Sequence, residues 1–237
     1  MIKLPKNTTV LFIGDSITDG NRGRNMDPNH LIGHGYQELV IAKLISDNYK
    51  NMPKFINKGI SGNNSGQILA RLKEDCIDYK PDIISILCGV NDCCHGGDGN
   101  TDETAIKNLD AILSKIKSSL PETKVILCEP FYMDVRNQEN RYENLPNVKC
   151  EDDFFFSNNP LDLEKIEKFS SRMKRLQKGL PSLAEKYGCI FVPFQDVLDE
   201  ASKQVTASYF VWDNVHPTIA GHTLMAKRWL EVVEKAL

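Results

Sequence analysis

Short apolar runs alternate along this chain with longer stretches in which apolar residues recur every three or four positions. Val10-Leu11-Phe12-Ile13 is continuously apolar and stops at Gly14, and Lys54-Phe55-Ile56-Asn57 is a shorter, weaker run. Asp82-Ile83-Ile84-Ser85-Ile86-Leu87-Cys88 is the clearest, followed by Lys124-Val125-Ile126-Leu127-Cys128 and Cys189-Ile190-Phe191-Val192. Runs without polar alternation predict strands buried on both faces, as a parallel sheet requires.

Helical spacing fills the intervals. Leu69, Leu72, Cys76 and Tyr79 share one stripe before Pro81, and Ile106, Leu109, Leu113, Ile116 and Leu120 share another that Pro121 ends. Ile166, Phe169, Met173, Leu176, Leu180, Leu183 and Tyr187 predict a long helix that Pro181 should kink or split. A last helix carries Ala226, Trp229, Leu230, Val233 and Leu237, with Pro217 expected in its first turn. Strands alternating with helices predict right-handed crossovers and a three-layer α/β/α sandwich of about five parallel strands. In such sheets ligands gather beyond the carboxyl ends of the strands. Residues 131–160 break the rhythm. They hold Asp152-Asp153-Phe154-Phe155-Phe156 and no clear period, and read equally as a lid or as a packed insertion within one domain spanning 1–237.

Composition narrows the classes. A chain of 237 residues suits one domain and needs no covalent staples to bury its core. A net charge of −3 lacks the basic footprint of a nucleic-acid binder. No apolar run is long enough to span a membrane, and Met1 to Asn7 hold no apolar signal core, so a cytoplasmic protein is expected. Seven cysteines at irregular spacing are expected as free thiols.

The chemistry-bearing residues fall at the ends of the first three predicted strands and, as a fourth group, just before the last helix. Gly14-Asp15-Ser16 follows the first strand; its serine hydroxyl is a weak nucleophile that needs a neighbouring base. In Asp213-Asn214-Val215-His216-Pro217 an Asp lies three residues ahead of a His. It can turn back onto one ring nitrogen and leave the other free to take a proton, the relation a catalytic triad requires. Gly89-Val90-Asn91-Asp92 places a side-chain amide after the strongest strand, and Asn57-Lys58-Gly59-Ile60-Ser61-Gly62 places backbone N–H groups after the second. Donors of both kinds can face a developing oxyanion. Each segment alone also fits an ordinary turn or helix cap. It is their convergence on one sheet edge that points to catalysis.

These segments resemble the four blocks of the SGNH, or GDSL, hydrolases: Gly14-Asp15-Ser16, Gly62, Asn91 and Asp213-x-x-His216-Pro217, in family order across residues 14–217. The resemblance implies a flavodoxin-like fold and no cofactor. It implies Ser16 as nucleophile, His216 as base then acid, and Asp213 as its orienter. The backbone N–H groups of Ser16 and Gly62 and the Asn91 side chain would form the oxyanion hole. The expected reaction is hydrolysis of a small-molecule or carbohydrate ester, a short acetyl ester foremost. A lipase, lysophospholipase or thioesterase of the same family is the alternative, as is an acyltransferase with the same triad. From another class, a non-catalytic flavodoxin-like binding module is the rival.

The remaining candidates carry weaker readings. There is no Gly-x-Ser-x-Gly elbow, phosphate loop or Gly-x-Gly-x-x-Gly. Asp15 reads as a structural partner of the Ser16 turn. Cys88, Cys93, Cys94 and His95 do not match a zinc pattern, because adjacent cysteines cannot easily take two tetrahedral corners. His30 and His34 read as surface residues and His222 as a helix residue. Tyr209, Phe210 and Trp212 read either as pocket lining or as core.

Overall fold

The fold was analysed in a computed structural model that describes residues 1–25, 27, 29–94, 101–135 and 160–237. The apolar runs form five strands: β1 (Thr9–Gly14), β2 (Lys54–Gly59), β3 (Ile83–Leu87), β4 (Lys124–Cys128) and β5 (Ile190–Val192). They pair in parallel throughout, in the order β2-β1-β3-β4-β5. This is the flavodoxin-like order, and its reversal point lies between β1 and β3.

Eight α-helices lie among the described residues: α1 (Ser16–Asp19), α2 (Tyr36–Asn48), α3 (Ser65–Asp75), α4 (Val90–Cys94), α5 (Asp102–Ser119), α6 (Pro160–Lys186), α7 (Gln195–Ser202) and α8 (Ile219–Ala236). Alternate strand residues feed two separate cores, because successive side chains leave a strand on opposite faces. Val10, Phe12, Ile126, Cys128 and Val192 pack with Val40 and Leu44 of α2, Leu198 of α7 and Trp229 of α8. Leu11, Ile13, Ile84, Ile86, Val125 and Leu127 pack with Ile68 of α3, Leu109 and Ile116 of α5, and Met173 and Leu176 of α6. The result is the three-layer α/β/α sandwich.

Local side-chain chemistry starts four of these helices, α1, α3, α5 and α8. At α3 a reciprocal capping box forms, in which Asn64 accepts from the Gln67 N–H and Gln67 accepts from the Asn64 N–H. At α5 Thr101 accepts from the Thr104 N–H, and Asp102 and Glu103 occupy the electropositive first turn.

Several expectations differ in detail. Pro181 does not split its helix, and α6 runs unbroken from Pro160 to Lys186. Tyr79 is not on the α3 stripe: α3 ends at Asp75, a one-turn helix carries Ile77–Tyr79, and Tyr79 is exposed. Pro217 precedes the cap of α8 instead of opening its first turn, because the extended Thr218 caps the helix through its Oγ1. Four helices, the short α1 and α4 and the longer α2 and α7, carry no clear stripe in the sequence. Leu39 and Ile45 on the exposed side of α2 blur its stripe. The part of the 131–160 segment that lies at 136–159, including Asp152 to Phe156, is outside the described residues, as is His95.

Candidate active site

Ser16 is the first residue of α1, directly beyond the carboxyl end of β1. Asp15 caps this short helix by accepting from the Ile17 N–H at 3.1 Å. Its carboxyl is completely buried, with Oδ2 unpartnered among the described residues, and burial pushes it up to about 7. The expected structural role of Asp15 in the Ser16 turn therefore has a specific form, a cap.

His216 approaches Ser16 from the other end of the chain. Ser16 Oγ and His216 Nε2 lie 2.8 Å apart, and His216 Nδ1 lies 2.5 Å from Asp213 Oδ2. Asp213 is buried, and its second oxygen accepts from the His216 and Val215 N–H groups at 2.7 and 3.2 Å. The loop is closed below by Trp212 N–H to the His216 carbonyl and by an isolated bridge between Val211 and Pro217. Asn214 completes the tight turn with φ of 74°. Asn is one of the few side chains that tolerate this region, because its short amide bonds locally. Its Oδ1 accepts from the Val135 N–H and its carbonyl from the Met133 N–H, which ties the loop to the segment beyond β4.

The electrostatics suit proton transfer. Burial pulls the His216 imidazolium down, but the Asp213 bond and charge, with Asp15 behind, outweigh it and hold the ring above its ordinary value. With Asp213 on Nδ1, the tautomer that leaves Nε2 free to accept the serine proton is the favoured one. Trp212 stacks on the His216 ring, centroids 5.2 Å apart and planes 17° apart.

Gly62 lies in the turn after β2, with φ of 80° and no atom within 4 Å of where a Cβ would stand. Glycine takes this conformation at no steric cost, and the backbone there is open to a ligand. Asn91 sits on α4 beyond β3. Its Nδ2 donates to the Asn63 carbonyl at 2.9 Å, which leaves one amide hydrogen for another acceptor. The structure thus joins Asn91 to the Gly62 turn, and that turn to β1 through the Ile60 N–H on the Gly14 carbonyl.

The supporting residues were not legible in the sequence. Asp19, buried at the end of α1, accepts from the Ser61 N–H and from Arg24. Burial alone would raise its carboxyl, but Arg24 and the Ser61 amide hold it below the usual carboxylate range. Asp92, also buried, accepts from both Ser65 N–H and Ser65 Oγ, and Asn108 donates to that same hydroxyl. Asn57 donates to the Thr18 and Ile32 carbonyls. No motif spacing flags these residues, since Asp19 and Asp92 lie in short helices and Asn57 in β2, each with partners on other elements.

The other candidates separate. His30 and His34 are exposed beside Asp27 and Glu38. His222 accepts from the Tyr36 N–H through Nδ1, and burial together with nearby His216 pulls it down to about 4. Phe210 belongs to the core and Tyr209 is exposed. Cys88 and Cys93 are buried free thiols, and Cys94 is half-buried.

The profile of the GDSL-like Lipase/Acylhydrolase family matches residues 12–224. An acetylxylan esterase from Geobacillus stearothermophilus is 28% identical over 239 residues, covering 98% of this chain and 96% of its own. A crystal structure of a Parabacteroides merdae protein described as a GDSL-like lipase superposes with a TM-score of 0.81 at 34% identity, covering 98% of this chain and 97% of its own. A crystal structure of an acetylxylan esterase from G. stearothermophilus superposes with a TM-score of 0.76 at 27% identity, covering 98% and 96%. An aspartate-to-alanine and a serine-to-alanine variant of that esterase are each described as catalytic mutants.

Proposed function

The chain belongs to the GDSL-like lipase/acylhydrolase family and is a carboxylic ester hydrolase, and from this premise we propose that it removes short acyl groups, acetyl foremost, from carbohydrate esters through an acyl-enzyme on Ser16. The observation that carries the reading is the relay Ser16 Oγ, His216 Nε2, His216 Nδ1, Asp213 Oδ2, with links of 2.8 and 2.5 Å. The similarity to acetylxylan esterase supports acetyl as the acyl group and a sugar hydroxyl as the leaving group.

In this reading His216 takes the Ser16 proton as Oγ attacks the ester carbonyl. The carbonyl oxygen becomes an oxyanion facing the Ser16 and Gly62 N–H groups and the spare Asn91 amide hydrogen. His216 then gives its proton to the departing alkoxide, leaving an acyl-Ser16. Water loses a proton to His216 and attacks that ester, the same oxyanion donors serve again, and the carboxylic acid leaves as His216 returns the proton to Ser16 Oγ. Asp213 holds the ring orientation and stabilises the imidazolium that forms in each half.

The test is labelling by a fluorophosphonate probe with site mapping, run beside a panel of esters from acetyl to octanoyl, an acyl thioester and acetylated xylo-oligosaccharides. The expected result is a label on Ser16, abolished in Ser16→Ala, and fastest turnover with acetyl. No label, or faster turnover of octanoyl or thioester substrates, overturns the reading in favour of a binding module or of the lipase and thioesterase alternatives.

A further inference from the structure

One side chain touches both turns that the proposed reaction uses. Arg71 lies on α3 with its side chain only 14% exposed. Its Nη2 donates to the Gly14 carbonyl at 3.1 Å, two residues before Ser16. Its Nε donates to Asn63 Oδ1 at 2.8 Å, the residue after Gly62. Its Nη1 donates to the Lys58 carbonyl at 2.8 Å and to Asp75 Oδ2 at 3.0 Å. Asn63 in turn accepts from the Asn91 amide on its own carbonyl. A single guanidinium is therefore bonded to the chain ahead of the nucleophile and to the residue that adjoins both other oxyanion donors.

The fork matters because a guanidinium is planar and its donors point in fixed directions, so it sets distances between acceptors as well as attracting them. An ammonium group supplies a point charge without that geometry. The helix does not depend on Arg71 for its place. The Asn64–Gln67 capping box, the Asp92 carboxylate on Ser65, and buried Ile68 and Leu72 anchor α3 by themselves. What Arg71 adds is a brace between two loops that carry reacting-site groups from different strands.

Resting on the function proposed above, we infer that Arg71 is a positioning residue that holds the Ser16 turn and the Gly62–Asn63 turn at a fixed separation, so that nucleophile and oxyanion donors meet the same carbonyl. It does not touch substrate, so its loss acts on the transition state and leaves ester binding largely alone.

The experiment compares Arg71→Ala, Arg71→Lys and Ser16→Ala with the unaltered protein on an acetyl ester, with kcat and KM measured separately and folding followed by circular dichroism melting. A misplacement of about 1 Å costs about 100-fold, so kcat should fall by about that factor in both Arg71 variants. KM should stay within about 3-fold, and the inhibition constant of phenylboronic acid, which mimics the tetrahedral state, should rise in step with the loss of kcat/KM. Millimolar guanidinium should restore part of kcat in Arg71→Ala and none in Arg71→Lys. If Arg71→Ala does not fold, Arg71→Lys, which keeps the stem and the charge, carries the comparison. Near-normal kcat in a folded Arg71 variant, with Ser16→Ala inactive, overturns the bracing role alone. So does a loss that only tracks the unfolded fraction, or full activity in Arg71→Lys. Retained activity in Ser16→Ala overturns the reading of the site itself.

Discussion

Replacing Asn91 by alanine removes one side-chain amide with two separable duties. One N–H already donates to the Asn63 carbonyl at 2.9 Å, and the other has no protein acceptor among the described residues. The first duty is structural: losing a single partly buried hydrogen bond costs about 1 kcal/mol of stability. The second duty, on the function proposed above, belongs to the transition state, where removal of one oxyanion donor costs about 2.7–4 kcal/mol, or about 100–1,000-fold in kcat. The catalytic loss should therefore exceed the structural one severalfold, with KM nearly constant because the donor is aimed at the oxyanion and not at the ground-state ester. Asn91→Asp sharpens the contrast. It is isosteric, cannot donate when ionised, and sets a negative charge against the oxyanion, so it should lose more than Asn91→Ala. Steady-state kinetics on an acetyl ester, paired with urea unfolding, separates the two quantities. A folded Asn91→Ala protein with kcat within about 3-fold of the unaltered enzyme would refute the assignment of this amide to the oxyanion.

Three further outcomes are expected. Because His216 must be neutral to act as base and its ring is held above the ordinary value of 6.5, kcat/KM should fall with decreasing pH along a limb centred above 6.5; Asp213→Asn should move that limb down, since burial, the largest effect on the ring, is then opposed only by the Asp15 charge, and the same profile in Asp15→Asn isolates the histidine from that neighbouring carboxyl. A limb centred below 6.5 in the unaltered enzyme would contradict the Asp213 effect. Gly59→Ala would place a Cβ 2.2 Å from the Asp19 nitrogen and 2.6 Å from the Thr18 carbonyl carbon, so it should destabilise by about 3 kcal/mol in urea unfolding and displace the helix that carries Ser16. Trp229→Phe opens space in a fully buried site and removes the indole bond to Ser85 Oγ at 3.1 Å, which should cost about 2–3 kcal/mol by the same measurement while leaving KM unchanged.

Strand runs, most helix stripes and the turns that hold Ser16, Gly62, Asn91, Asp213 and His216 were legible in the sequence because each depends on local information, and the family resemblance singled out Gly62 within its turn. An apolar run too continuous for a half-exposed strand must be buried on both faces, and parallel strands put the turns that follow them at one edge. The Asp213–His216 relation is local too, since three residues suffice to fold the carboxylate back onto the ring. Arg71, Asp19, Asp92 and Asn57 were not legible. Their partners lie on other elements, often backbone carbonyls or amides, so nothing beside them in the sequence marks their task. The same holds for α2, whose exposed Leu39 and Ile45 hide the stripe that packs on the sheet.

By itself, then, the sequence determined the layer order, the sheet edge where chemistry gathers and the residue types that gather there, since hydrophobic period and turn composition act over a few residues. Only the tertiary structure decided that Ser16 Oγ and His216 Nε2, 200 positions apart, stand 2.8 Å from one another. It also decided which buried groups fix the spacing of the turns around them. Those distances depend on how β1, β2, β3 and α8 pack together, and no short window of the chain contains that information.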